Sequence, residues 1–252
     1  MTINTMRCVP HTQPRARIAP RPDKRNAVAA IATGLCLYAL FLALDARPAH
    51  AAGVSEEPKR ADFRQEQASP DALQVADWVL NSGNNRNLSF MIVDKKNARV
   101  FVFYPNGKLR GAAAVLLGEA VGDDSVPGIG ERKLSSIRPE ERTTPAGRFV
   151  AAIDRNIHGK DILWVDYAAA ISLHRVVTNN PKERRAERLA TPTSLDNRIS
   201  YGCINVPATF FNKIVMPAFT KTNGIVYVLP ETRSLQQVFA ALSVAEQARL
   251  AR

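Results

Sequence analysis

The spacing of apolar residues changes along the chain, and each change marks an element. Residues 27–44 (AVAAIATGLCLYALFLAL) are continuously apolar, just long enough to cross a bilayer. Residues 52–69 are polar and aperiodic and read as a linker. Ser69-Pro70-Asp71 then opens a helical period, with Leu73, Val75, Ala76, Val79 and Leu80 on or near one face and Gly83 ending it. From residue 88 the period becomes that of strands. Residues 88–94 and 99–104 are β-branched and aromatic runs separated by the turn Lys95-Lys96-Asn97, and Asn106-Gly107 leads into a third strand over 108–118.

Residues 119–142, rich in Gly, Pro and charge, read as a long surface loop. Strands are expected again over 148–153, 161–167 and 169–176, with a second polar loop over 177–199. A helix is expected over 207–219, with Pro207 suited to its first turn, and a last strand over 224–229. Ser234 caps an amphipathic C-terminal helix carrying Leu235, Val238, Phe239, Leu242 and Ala245. The pattern predicts a strand-dominated α+β domain with helical ends.

Charge and cysteine usage refine this picture. The formal charge of +11 looks like a nucleic-acid signal, but seven of the 34 basic residues and only two of the 23 acids fall in residues 1–51. The excess elsewhere is mild and has no interleaved aromatics or nucleic-acid motif beside it, which argues for an anionic envelope polymer and against nucleic acid. A basic leader, the apolar run 27–44 and Ala49-His50-Ala51 together form a secretory signal pattern. Residues 1–51 are therefore expected to export the chain to the periplasm or cell envelope, cut after Ala51 or kept as an inner-membrane anchor through 27–44. Three cysteines, Cys8, Cys36 and Cys203, are too few for a disulfide scaffold. After export Cys203 is the one thiol outside the membrane, with no second cysteine in its own chain to form a disulfide.

The segment Ser200-Tyr201-Gly202-Cys203-Ile204-Asn205 is the most informative stretch. Gly202 allows a tight backbone approach, and Cys203 is expected at the entry to the following helix. There the helix N-terminus would stabilise a thiolate and its N–H groups an oxyanion. The local sequence alone fits a small buried filler equally well. A nucleophilic thiol needs a base, and His174 shares a strand face with Ser172 and Val176, whereas His158 sits in the hairpin turn 156–160. A zinc site from His158, Asp161, His174 and Cys203 lacks any zinc-ligand spacing.

These residues resemble the L,D-transpeptidase catalytic domain, the YkuD-like family, which carries an upstream strand histidine and then a block of Ser, His, Gly and Cys followed by an apolar residue and Asn or Arg. His174 matches the first, and Ser200, Gly202, Cys203, Ile204 and Asn205 match the block. Thr144-Pro145-Ala146-Gly147-Arg148-Phe149 is similar to the family's turn before the strand at its substrate cleft. Tyr201 stands where the family has a second histidine, 25 residues separate His174 from Ser200, and Arg175 follows the histidine where Gly or Ser is commoner.

The resemblance covers residues 88–230, leaving 52–87 as linker and short helix and 231–252 as the C-terminal helix. It implies a mixed β-sandwich fold and acyl transfer without metal or cofactor. Cys203 would be the nucleophile, His174 the base, Tyr201 and Gly202 backbone donors at the oxyanion, and Ser200, Asn205 and Arg175 supporting groups. The implied donor is a peptidoglycan stem peptide. The acceptor is a stem amine, a lipoprotein lysine, or water in a carboxypeptidase, and a carbapenem is the implied inhibitor. A catalytically weak peptidoglycan-binding domain is the rival reading. The charged run 182–188 reads as a solvated turn or as a lid whose arginines bind stem-peptide carboxylates.

Overall fold

A computed structural model describes residues 57–240. The leader, the apolar run 27–44 and the outer part of the expected C-terminal helix, with Leu242 and Ala245, lie outside the described residues. Among those described, no helix is long and apolar enough to cross a membrane.

Helix α1 (Pro70–Ser82) follows its sequence signals closely. Ser69 accepts the Ala72 N–H, Pro70 occupies the first turn, and Gly83 closes the helix in the left-handed region at φ 64°. The segment before it is docked rather than free. Phe63 is buried edge-on against Phe101 and Phe103, a burial that stabilises by about 1.5–3 kcal/mol, and the Ala61 N–H donates to Asp77.

The first three strands, β1 (Phe90–Asp94), β2 (Arg99–Phe103) and β3 (Leu109–Ala114), form the expected antiparallel hairpins. The run through residue 118 is not one strand. At Val115 the chain leaves β2 and continues as β4 (Leu117–Gly118) with new partners. Strands β5 (Gly147–Arg155), β6 (Asp161–Asp166) and β7 (Ile171–Arg175) make a second antiparallel set. The short β8 (Arg198–Ser200) pairs with β4, while β9 (Ile204–Val206) and β10 (Gly224–Val228) pair parallel to β7 and β1. The result is one mixed eight-stranded sheet in the order β3-β2-β1-β10-β5-β6-β7-β9, a strand-dominated α+β fold as the pattern predicts.

Alternation along the strands builds two cores. Phe90, Ile92, Phe101, Phe103, Ile225 and Tyr227 pack with α1 in an aromatic layer. Met91, Val93, Val100, Val102, Val226 and Val228 pack with Leu163, Leu173, Ile204 and Val206 from the far end of the sheet, so the sheet curls around one aliphatic core. Its two ends meet where Leu116 and Asn205 exchange both backbone hydrogen bonds at 2.9 Å.

The helix expected over 207–219 begins as α3 (Ala208–Phe210), widens into a π turn over Phe211–Val215 and ends as α4 (Met216–Phe219). Pro217 explains the widening, because it has no N–H to donate and its ring would press on the carbonyl four residues back. The loop 119–142 holds three short 3-10 turns and 177–199 holds α2 (Arg185–Ala190). At the C-terminal end, α5 (Leu235–Val238) starts on the expected Ser234 cap, which is reciprocated by Gln237.

Candidate active site

Parallel pairing of β7 with β9 sets Leu173 beside Ile204 and His174 beside Asn205. Leu173, Ile204 and Val206 face the aliphatic core, so by alternation Ser172, His174 and Asn205 face the other way. Cys203, one residue before β9, lies on that same side. Its Sγ is 3.7 Å from Ser172 Oγ and 3.7 Å from the carbonyl of Ala170, to which the thiol donates. Ile162 and Trp164 of β6 pack against the cysteine, and Trp164 stacks on Tyr167 at 5.0 Å.

One expectation about Cys203 is corrected. It does not stand at a helix N-terminus: β9 follows it directly, and α3 begins only at Ala208. Ile204 and Val206 are β-branched, and the ladder to β7 on one side and to Leu116 on the other claims these residues for a strand. The helix therefore starts five residues past the sulfur, with β9 between them.

The loop before the sulfur is held from several sides. Ser200 Oγ donates to the Cys203 carbonyl at 2.6 Å and accepts the Gly202 N–H at 3.1 Å. Asn205 Nδ2 donates to the same carbonyl. Gly202 has φ 119°, and a Cβ there would come within 2.6 Å of the Thr143 carbonyl and 2.7 Å of Ile171, so glycine is required on both conformational and steric grounds. Thr144 Oγ1 donates to the Gly202 carbonyl and accepts the Gly118 N–H, both at 2.8 Å. The Tyr201 ring lies under the Arg142 guanidinium at 4.0 Å.

His174 is 9 % exposed, and its Nδ1 is 2.8 Å from the Arg175 carbonyl. A carbonyl only accepts, so Nδ1 carries the proton and the neutral ring presents Nε2 as its acceptor nitrogen. Arg175 supplies that anchor through its backbone. Its side chain turns away, donating to Asn212 and the Asp161 carbonyl and covering the Phe211 ring at 4.3 Å. His158 is exposed in its turn, where Asn156 Oδ1 accepts the His158 and Lys160 N–H groups. Among the described residues no group of three His, Cys, Asp or Glu is placed to hold a metal.

A buried ionic cluster lies beneath this loop. Lys95 Nζ is fully buried and donates to Asp123 Oδ1 at 2.8 Å, to the Thr144 carbonyl at 2.8 Å and to the Gly122 carbonyl at 2.5 Å. Asp123 also accepts from the N–H groups of Glu231, Thr232 and Arg233 and from the Thr232 hydroxyl. Burial works against its charge, but Lys95, Thr232 and the Glu231 N–H outweigh it and hold the carboxyl well below the usual range. Glu231 is shared between Lys95 and Arg198.

A cleft of about 290 Å³ is lined by Asp123, Asp124, Val126, Pro145, Phe149 and Asp166, among others. Neither Cys203 nor His174 lines it. Two of its walls run on to the site, Pro145 from Thr144 and Ala169 into Ala170.

The charged run 182–188 divides into two roles. Arg185 reaches inward, pairing with Glu183 and donating to Asn205 Oδ1 at 2.8 Å, while Arg184 is exposed and pairs with Glu187. Sequence reasoning placed Ser172 on the face of His174 but gave it no role. It also missed Lys95 and Arg142, because a lysine in a Lys-Lys-Asn turn and an arginine in a polar loop both read as solvated.

No family model and no curated protein matches the chain. Among solved structures it is similar to the catalytic domain of an E. faecium L,D-transpeptidase, at 16% identity over 57% of this chain and 98% of that one, with a TM-score of 0.35. It is also similar to the helical cell shape determining protein Pgp2 of Campylobacter jejuni, at 14% identity over 58% of this chain and 49% of that one, TM-score 0.38. An L,D-transpeptidase from Mycobacterium tuberculosis H37Rv is similar at 12% identity over 56% of this chain and 57% of that one, TM-score 0.37. The chain spans about half the length of the Pgp2 chain it matches.

Proposed function

We propose that the chain is an exported L,D-transpeptidase of the cell envelope, with Cys203 as nucleophile and His174 as base. The observation that carries this reading is the β7–β9 register, which sets Ser172 and His174 on one strand against Cys203 and Asn205 on the next, on one face. A structural cysteine needs no histidine with a fixed tautomer on the neighbouring strand. The leader and A-x-A pattern of residues 1–51 support export to the periplasm or envelope, and the domain is taken as 88–230 with α1 and α5 as attached ends.

His174 Nε2 takes the Sγ proton, and the thiolate attacks the carbonyl carbon joining the third, diamino-acid residue of a stem tetrapeptide to D-Ala. The developing oxyanion needs donors. The Gly202 N–H is already given to Ser200, which leaves the N–H groups of Tyr201 and Cys203 as the assigned pair. The protonated His174 returns its proton to the departing D-Ala amine, leaving a thioester on Cys203. An amine from a second stem or a lipoprotein lysine then attacks the thioester, the C–S bond breaks, and His174 passes the amine's surplus proton to the departing sulfur, which regenerates the thiol and the neutral base. Water in place of the amine gives a carboxypeptidase.

The test is incubation with tetrapeptide muropeptides followed by product analysis, beside mass spectrometry after exposure to a carbapenem. Wild type is expected to release D-Ala and to gain a covalent adduct on Cys203. Cys203→Ala should lose both, and His174→Ala should lose acylation while staying folded. Normal acylation in His174→Ala overturns the base assignment. The competing reading, a domain that binds peptidoglycan without turning it over, draws on Tyr201 under Arg142 and on the occupied Gly202 N–H. Sedimentation with peptidoglycan, without adduct or turnover, would establish that reading instead.

A further inference from the structure

Resting on the reading of Cys203 as nucleophile, we propose that the Ser172 hydroxyl is a further catalytic group, the donor that stabilises the Cys203 thiolate. The sulfur has two oxygens at 3.7 Å with opposite preferences. The Ala170 carbonyl only accepts, so it suits the protonated thiol and opposes the anion. Ala170 is held in the left-handed region at φ 54°, conformationally costly for a residue with a Cβ, and its carbonyl is therefore a fixed neighbour. The Ser172 hydroxyl can rotate, accepting while the sulfur is protonated and donating once it is not.

Three features favour this assignment over simple filling. Ser172 is fully buried while Cys203 is half-buried, so the donor reaches the sulfur from the protein's side, where a hydrogen bond to a charge is stronger than in water. The register fixes it beside Cys203 and two residues before His174 on the same face. The sulfur stands at the entry to a strand rather than a helix, so the donors a helix N-terminus would supply are missing. The step is balanced: the S–H proton passes to His174 Nε2, and Ser172 keeps its own proton while turning it toward sulfur.

The charged and titratable groups on the surrounding elements are His174 and Arg175 on β7, Asp161 and Asp166 at the ends of β6, Tyr201 with Arg142 and Glu119 behind it, and Arg185 at Asn205.

The experiment is the pH dependence of Cys203 alkylation by iodoacetamide, resolved by peptide mass spectrometry so that other thiols do not contribute. It needs no muropeptide and thus separates this inference from the transpeptidase reading. Ser172→Ala is expected to raise the ionisation midpoint by about one pH unit, roughly a tenfold loss of thiolate at a pH below the midpoint. Ser172→Thr and Ser172→Val share one shape and differ by the hydroxyl, so they decide the matter even if the smaller variant is unstable. The threonine variant should keep the wild-type midpoint and the valine variant should shift with alanine. Equal midpoints for threonine and valine overturn the proposal. A hydroxyl-dependent shift in a protein that turns over no muropeptide upholds it and defeats the transpeptidase reading.

Discussion

The two long segments flanking the site, 119–146 and 177–199, look alike in composition and differ in how they are held. The first is fixed by buried charge: Lys95, Asp123 and Glu231 lock it to the C-terminal segment, and the Lys95 bond to the Thr144 carbonyl passes that hold to the residue gripping the Gly202 carbonyl. The second is held over residues 180–191 by ion pairs in water, such as Arg184 with Glu187, plus the Arg185 tether to Asn205, and only its end is built in, through buried Asn197 and through Arg198 on Glu231. Exposed pairs contribute little and buried ones are costly to break. The first segment therefore supports the loop that carries Gly202, and residues 180–191 are the part of the second that the fold can lose at small cost.

The sharpest way to break this contrast is Asp123→Ala, which takes the nearer carboxylate from the buried Lys95 and leaves it only the shared Glu231 at 3.4 Å. It should cost about 3–5 kcal/mol, read as a large fall in thermal midpoint by circular dichroism, and a loss under 1 kcal/mol would remove the distinction. Acid gives the same lesson without mutation. The folded pKa of Asp123 lies below its ordinary 3.8, so its contribution is complete above that pH and disappears as pH falls further. Stability of the wild type should decline below about pH 4, and Asp123→Asn should flatten that part of the curve. Next comes Thr144→Val, which orphans the Gly118 N–H and frees the Gly202 carbonyl. About 1–3 kcal/mol is expected by denaturant titration, with slower Cys203 alkylation. Smallest is Arg184→Glu in the other segment. Within about 0.5 kcal/mol of wild type is expected, with muropeptide turnover unchanged.

Much of this architecture was written locally. The cap at Ser69, Pro70 and Gly83 delimits α1 because each residue satisfies a specific backbone need. Alternation in 171–175 put Ser172 and His174 on one face before any partner was known. What could not be read was pairing between distant segments. The parallel match of β7 to β9 spans the whole 177–199 insertion, and three residues of β9 beside Pro207 carry too little pattern to outweigh a helix expectation. Lys95 failed for another reason. A charged residue in a hairpin turn reads as solvated, and only tertiary structure reveals that a loop and the chain end close over it. Phe63 was hidden in the same way by the polar residues around it.

The mutual pairing of Leu116 and Asn205 has a consequence for the transpeptidase reading. It leaves β9, the strand that follows Cys203, with a neighbour on each side, so there is no open row of N–H and C=O groups there for an incoming extended chain to continue. A peptide cannot be recruited there by lengthening the sheet, the mode that reads main chain and tolerates many side chains. It must lie across the face and be chosen by the groups that project from it. On that reading selection falls to stereochemistry and side-chain length more than to backbone, and the same sealed edge offers a second copy of the protein no strand to join at Cys203.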